Sequence, residues 1–167
     1  MTIYILRHGI AVAGGTPGYE KDQDRPLTPK GERRLWRITE AMGEIGLSFD
    51  LILSSPYARA WHTAEIVAEA FKAEKRLQRC DELASDHEPK DIIIFLRALD
   101  PQPENVLLVG HEPYLSRLIS RLVAGNSDCK IELKKGGLCK LVVESFKEGR
   151  CATFEWLLTP RQMWLMG

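Results

Sequence analysis

The residues in this sequence best suited to chemistry stand at the ends of its apolar runs. Ile3-Tyr4-Ile5-Leu6 passes directly into Arg7-His8-Gly9. Leu51-Ile52-Leu53 ends in Ser54-Ser55-Pro56, with Arg59 shortly after, and the run from Asn105 to Val109 ends in Gly110-His111. Short apolar runs bounded by glycine or polar residues read as buried strands. The carboxyl ends of parallel strands form the crevice where open α/β sheets bind ligands. Each tripeptide alone is a weak signal, and a surface arginine beside a satisfied loop histidine explains it as well. The three together bring two guanidinium groups, two imidazoles and two helix starts to one sheet edge. That is an anion site, and planar forks of donors suit phosphate oxygens in particular.

The intervening segments supply the elements that would hold those residues. The loop from Ala13 to Leu27 contains Gly14, Gly15, Pro17, Gly18 and Asp24 and is expected to lack regular structure, forming one wall of a pocket. Thr28 reads as an N-cap with Pro29 at the first helical position, and Leu35, Ile38, Met42 and Ile45 form the apolar stripe of a helix ending near Gly46. A second helix from Tyr57 carries Ala60, Ala64, Val67, Ala68 and Phe71 on one face. Leu77 to Cys80 is a possible short strand, Asp81 to Pro89 an acidic loop and Asp91 to Leu99 a helix. Leu115, Leu118, Ile119 and Leu122 mark another helix, and Leu138 to Phe146 and Thr153 to Leu158 read as a closing hairpin turning at Glu148-Gly149. Alternating strands and helices predict an α/β chain: three layers, α/β/α, with a central mostly parallel sheet, helices on both faces and an antiparallel edge.

With 167 residues, 44% hydrophobic and 28% charged, the chain is expected to be one domain spanning 1–167. Lysine plus arginine equals aspartate plus glutamate at 23 each, so no bulk field recruits nucleic acid or an acidic membrane, and any anion site is local. No signal peptide or bilayer-spanning run is legible, which leads to an expected cytoplasmic location. Cys80, Cys129, Cys139 and Cys151 lack metal-ligand spacing and read as reduced thiols; neither a metal nor a cofactor is expected.

The chain resembles the histidine phosphatase superfamily, which includes phosphoglycerate mutases, and more narrowly the phosphohistidine phosphatase family typified by SixA. The resemblance rests on Leu6-Arg7-His8-Gly9, Arg25-Pro26-Leu27-Thr28 before a helix with Gly31, Ser54-Ser55-Pro56-Tyr57-Ala58-Arg59-Ala60, Thr63-Ala64 and Val109-Gly110-His111. The closing Phe154-Glu155-Trp156 with Pro160 also fits. It implies a phosphoglycerate mutase-like fold in which His8 attacks phosphorus while Arg7, Arg59 and His111 hold the phosphoryl oxygens. Arg25 and the Glu112 backbone N–H are further implied phosphate contacts. Nearby guanidinium groups would favour the neutral, nucleophilic imidazole, and Gly9 would let the backbone pass close to the ligand.

Phosphoester members of the superfamily use a carboxylic acid at the leaving oxygen. Glu82 and Asp86 are the candidates here, although both fit a solvated acidic loop better. SixA-like proteins similarly lack that acid, and a labile phosphoramidate needs less help at its leaving nitrogen. The leading expectation is therefore a metal-independent phosphohistidine phosphatase. Its partner would be a phosphorylated protein such as a histidine phosphotransfer domain; oligomeric state is not legible. The alternatives are a phosphatase of small phosphorylated substrates and a non-catalytic phosphate-binding module. A mutase is disfavoured by the absence of long insertions. His62 reads as a polar residue near the site, His87 as solvent-exposed, Lys134-Lys135 and Arg33-Arg34 as solvated charges, and Trp156 and Trp164 as packing residues.

Overall fold

In the computed structural model, which describes residues 1–166, the strands are β1 (Thr2–Arg7), β2 (Leu51–Ser54), β3 (Leu77–Arg79), β4 (Asn105–Gly110), β5 (Leu138–Val143) and β6 (Ala152–Leu158). The helices are α1 (Pro29–Glu44), α2 (Ala58–Ala70), α3 (Pro89–Ala98), α4 (Tyr114–Ala124) and α5 (Pro160–Trp164). Gly167, the last residue of the expected domain, lies outside the described residues. One sheet runs in the order β3-β2-β4-β1-β5-β6. Its first four members are parallel, whereas β5 and β6 extend it as an antiparallel hairpin.

Side chains alternate across a strand, so each central strand feeds two cores. Ile3 and Ile5 of β1 join Val106 and Leu108 of β4 on the face covered by α3 and α4. Tyr4 and Leu6 join Leu107 and Val109 on the face covered by α1, α2 and α5. Burial on both faces explains why these strands read as unbroken apolar runs. Each fully buried leucine or isoleucine contributes about 1.5–3 kcal/mol relative to exposure. The expected three-layer α/β/α architecture is the observed one.

Helix α1 begins as its sequence dictates: Thr28 Oγ1 accepts from Gly31 N–H at 3.0 Å, and Pro29 occupies the first turn. Gly31 lets the helix lie on the chain beyond β1, since a Cβ there would stand 2.2 Å from the Ile10 carbonyl oxygen. Several boundaries differ from expectation. The Ala13–Leu27 loop is not wholly irregular: Ala11 bridges to Leu27, and Asp22–Asp24 makes a 3-10 turn. The acidic loop holds another 3-10 turn at Asp81–Leu83, and α3 starts at Pro89 because Glu88 and Asp91 form a capping box. Strand β5 stops at Val143, short of Phe146. Among the described residues, no helix is long and apolar enough to cross a membrane.

Candidate active site

Adjacent strands β2, β4 and β1 end level with one another, Arg7 pairing with Gly110 and Ser54 with Val109. The pairing continues one residue beyond the strands: His8 N–H donates to Gly110 O at 3.1 Å, and Ser55 N–H to Val109 O at 3.0 Å. His8, Ser55 and His111 are thereby set side by side, and the first turn of α2 brings Arg59 to them. The His8 and His111 ring centroids lie 5.2 Å apart.

The tautomer of His8 follows from its partners. Arg59 Nε–H donates to His8 Nε2 at 3.3 Å, while His8 Nδ1 lies 2.7 Å from Gly9 O. A guanidinium only donates and a carbonyl only accepts, so Nδ1 carries the proton and Nε2 the lone pair. The residue is 6% exposed. Burial pushes its pKa down to about 3; the Gly9 carbonyl opposes this, and the charges of Arg59, Arg7 and Lys135 add to it. The neutral imidazole thus owes more to burial than to the guanidinium groups expected to enforce it.

Gly9 also has a packing reason. A Cβ at Gly9 would stand 2.7 Å from Leu35 Cδ1 and 3.2 Å from Leu27 Cδ2, so the glycine serves packing against α1. Its N–H donates to Thr63 Oγ1 at 3.1 Å, and that hydroxyl donates to Arg59 O at 2.7 Å. One buried side chain on α2 therefore ties the His8 turn to the turn carrying Arg59.

His111 is oriented by Ser55, whose Oγ lies 2.8 Å from Nε2 and accepts weakly from Tyr57 N–H at 3.4 Å. Among the described residues the Ser55 hydroxyl has no other acceptor for its proton, which therefore goes to His111 Nε2 and leaves the ring proton on Nδ1. Burial, then His8 and Arg59, hold His111 at about 3, with Asp22 opposing and Arg7 adding a smaller push. His111 Nδ1 and Arg7 Nε are both buried without a hydrogen-bond partner among the described residues. Buried orphan donors are rare and costly; these two stand at one sheet edge, and Trp164 Nε1 is the third among the described residues. Arg7 is fixed by donating from Nη1 to Leu133 O at 2.9 Å.

Arg59, 5% exposed, donates from Nη1 to Asp22 O at 2.7 Å and from Nη2 to Asp22 Oδ2 at 2.8 Å. Arg25 bonds the other Asp22 oxygen through Nε at 2.9 Å and through Nη2, and its Nη1 donates to Val12 O at 2.5 Å. Partial burial alone would raise the Asp22 pKa, but hydrogen bonds from Arg25 and Arg59, with their charges, hold it below the usual carboxylate range. Arg25 is thus joined to the site through the carboxylate it shares with Arg59.

The other expected residues fall into place unequally. Glu112 precedes Pro113, which caps α4 instead of opening it, so the expected helix-start position is shifted. The Glu112 carboxyl accepts from Ser116 Oγ at 2.6 Å; burial raises its pKa against that bond and the charge of Arg7. Neither candidate acid is hydrogen-bonded to the site. Glu82 Oε2 accepts from Cys80 Sγ at 3.2 Å, and Asp86 is exposed with no hydrogen bond or ion pair among the described residues. His62 is 3.8 Å from Glu32 and His87 is 3.6 Å from Asp91, both partly exposed. Asp22, Ser55 and Thr63 are the participants to which sequence reasoning gave no role. The Asp22-to-Arg25 spacing and the hydroxyls within Ser54-Ser55-Pro56 and Thr63-Ala64 were the available signals.

Residues 3–87 match the model of the histidine phosphatase superfamily, branch 1. An uncharacterized protein of Picosynechococcus is 35% identical over 142 residues, which is 84% of each chain. The probable phosphoglycerate mutase GpmB of Klebsiella pneumoniae is 33% identical over 85 residues, 48% of this chain but 39% of its own. The chain belongs to this superfamily. Its fold is that of the protein histidine phosphatase SixA solved with tungstate, with a TM-score of 0.83 at 22% identity over 96% of this chain and 98% of that one. The alpha-ribazole phosphatase of Shigella flexneri shares the fold at a TM-score of 0.66 and 19% identity, over 96% of this chain and 97% of that one.

Proposed function

We propose that the chain is a metal-independent phosphatase in which His8 Nε2 takes the phosphoryl group and water then releases it. The observation that carries this reading is the Nε2 lone pair, fixed by Gly9 O on the far side of the ring and flanked by Arg59. Phosphoryl transfer demands chiefly alignment and neutralisation of charge on the equatorial oxygens. Arg7 Nε, Arg59 and His111 Nδ1 are the donors for that charge, and binding an oxyanion would give the two orphan N–H groups among them their partners.

The preferred substrate is phosphohistidine in a protein. The carboxylate bonded to Arg59, that of Asp22, is held ionised, and Glu82 is hydrogen-bonded to Cys80. A phosphoester, whose alkoxide must be protonated, is poorly served by these groups. A phosphoimidazole already protonated on its far ring nitrogen leaves as neutral imidazole when the P–N bond breaks, with no proton transfer at that bond. The likeness in fold to SixA supports the same substrate class.

The second reading, a phosphatase of small phosphoesters, draws on the fold shared with the alpha-ribazole phosphatase. Turnover of a phosphohistidine protein against a panel of phosphoesters decides between them. The expected result is kcat/KM at least about 100-fold higher for phosphohistidine, the scale on which general acid catalysis would otherwise be needed. A phosphoester turned over faster would overturn the substrate assignment.

A further inference from the structure

Beside the site is a second cleft, of about 620 Å³, which the proposed chemistry does not use. Arg7 forms one wall, and Arg34 of α1, Lys134 and Lys135 of the turn before β5, and Arg161 of α5 line it together with Trp164. In the sequence these cations are scattered, and Arg34, Lys134 and Lys135 read as solvated charges; the fold gathers them. The turn is fastened to the end of β1: Arg7 N–H donates to Gly137 O at 3.1 Å, and Gly136 N–H donates to Arg7 O at 3.0 Å and His8 O at 3.2 Å. Gly136 has φ of 78°, and a Cβ there would come within 2.8 Å of Ile38 Cδ1, so the turn is held tightly against the sheet. On another wall the Arg34 guanidinium carbon stands 4.6 Å from the Trp164 ring centroid. The one acid of the cleft, Glu132, is exposed and pairs with Lys134 at 3.2 Å. Because the whole chain is formally neutral, this wall is a local excess of positive charge.

Taking the position of the phosphoryl group from the reading of His8 above, we infer that this cleft receives carboxylate side chains flanking the phosphorylated residue of an acidic phosphoprotein. Arg7 borders both the site and the cleft, so a phosphoryl group at His8 and carboxylates in the cleft belong to neighbouring parts of one ligand. The cations come from the end of β1, from α1, from the turn before β5 and from α5, and are spread along the lining of one open cleft. That arrangement matches several carboxylates along a protein surface, whereas a small anion would be met by a convergent set. The apolar faces of Trp164 and Pro160 add contact area between the charges.

The test uses two fluorescent peptides bearing a stable phosphonate analogue of phosphohistidine, one flanked by glutamates and the other by glutamines. Anisotropy at low salt is expected to show the wild type binding the glutamate peptide about ten-fold more tightly, the scale of several exposed ion pairs acting together. The gap closes in added salt and in the Lys134→Glu/Arg161→Glu double variant, whose sites are both exposed. It persists in Lys147→Glu, a charge change on the loop joining β5 to β6. Equal affinities for the two peptides, or a gap surviving in the double variant, overturn the inference. Free citrate competing as well as the glutamate peptide at equal carboxylate concentration overturns it in favour of a small polyanion. Phosphoramidate hydrolysis by the wild type is scored separately: hydrolysis without a peptide gap rejects the cleft alone, and a gap without hydrolysis rejects the reading of His8 alone.

Discussion

The site and the neighbouring cleft are both cationic, but they hold their charge in opposite ways. Arg59 is 5% exposed, and each nitrogen of its guanidinium has an assigned partner: His8 through Nε, Asp22 through the other two. The Lys134 side chain is 56% exposed and pairs with a glutamate that is 78% exposed. A buried guanidinium acts through fixed direction and unscreened charge, so one atom out of place matters. Exposed ammonium groups act through their number, each contributing about 0–1 kcal/mol and less in salt. That contrast suits the first region to the proposed chemistry and the second to the inferred selection among ligands.

The largest effect expected from this contrast is at Arg59. Arg59→Lys keeps the charge and removes the fork, and kcat/KM is expected to fall about 100-fold or more, as when one preorganised transition-state donor is lost. If the steady-state loss is no greater than that from a charge change in the cleft, the distinction between the regions collapses.

The histidines test burial directly. Burial foremost holds both rings neutral, moving His8 and His111 from the ordinary 6.5 to about 3. Their NMR resonances are therefore expected to stay put between about pH 8 and about pH 5. The sign for stability follows: the unfolded chain takes up these protons as pH falls through 6.5 while the folded chain does not, so stability declines from there towards pH 3. Titration of either ring near 6.5 would show that the site is wetter than its packing indicates.

The smallest effect sharpens the role of Asp22. Its carboxylate holds Arg59 Nη2 and its backbone carbonyl holds Nη1, the nitrogens that a phosphoryl group would use, and only the first bond involves the side chain. Asp22→Asn is expected to tighten inhibition by orthovanadate by about three- to ten-fold, the scale of one partly exposed ion pair removed from competition. Weaker inhibition would instead make Asp22 a positioning residue for Arg59.

Arg7, His8 and His111 were legible because each stands at the end of a buried run, Arg59 because it opens the helix after one, and parallel strands must end along one edge. The two-faced burial of β1 and β4 made those runs unmistakable. Asp22 was not legible, since its approach to Arg59 depends on how the long loop folds back over α2. Ser55 and Thr63 stood inside recognisable segments, but the bond of Ser55 to His111 follows from strand register and that of Thr63 to Gly9 from the packing of α2 on the sheet, neither of which a local pattern carries. Helix α5 is too short for an apolar stripe, and the Thr159–Gln162 capping box was its available mark. The cleft cations looked like ordinary solvated residues because what joins Arg34, Lys134 and Arg161 is tertiary packing alone.

The central claim is that His8 Nε2 takes the phosphoryl group. Brief exposure to phosphoramidate, acid-free quenching and peptide mapping test it most directly. The expected result is a single phosphoryl adduct on His8, lost in acid and kept in base, and absent from His8→Ala. An adduct on another residue, or equal labelling of His8→Ala, would contradict the account.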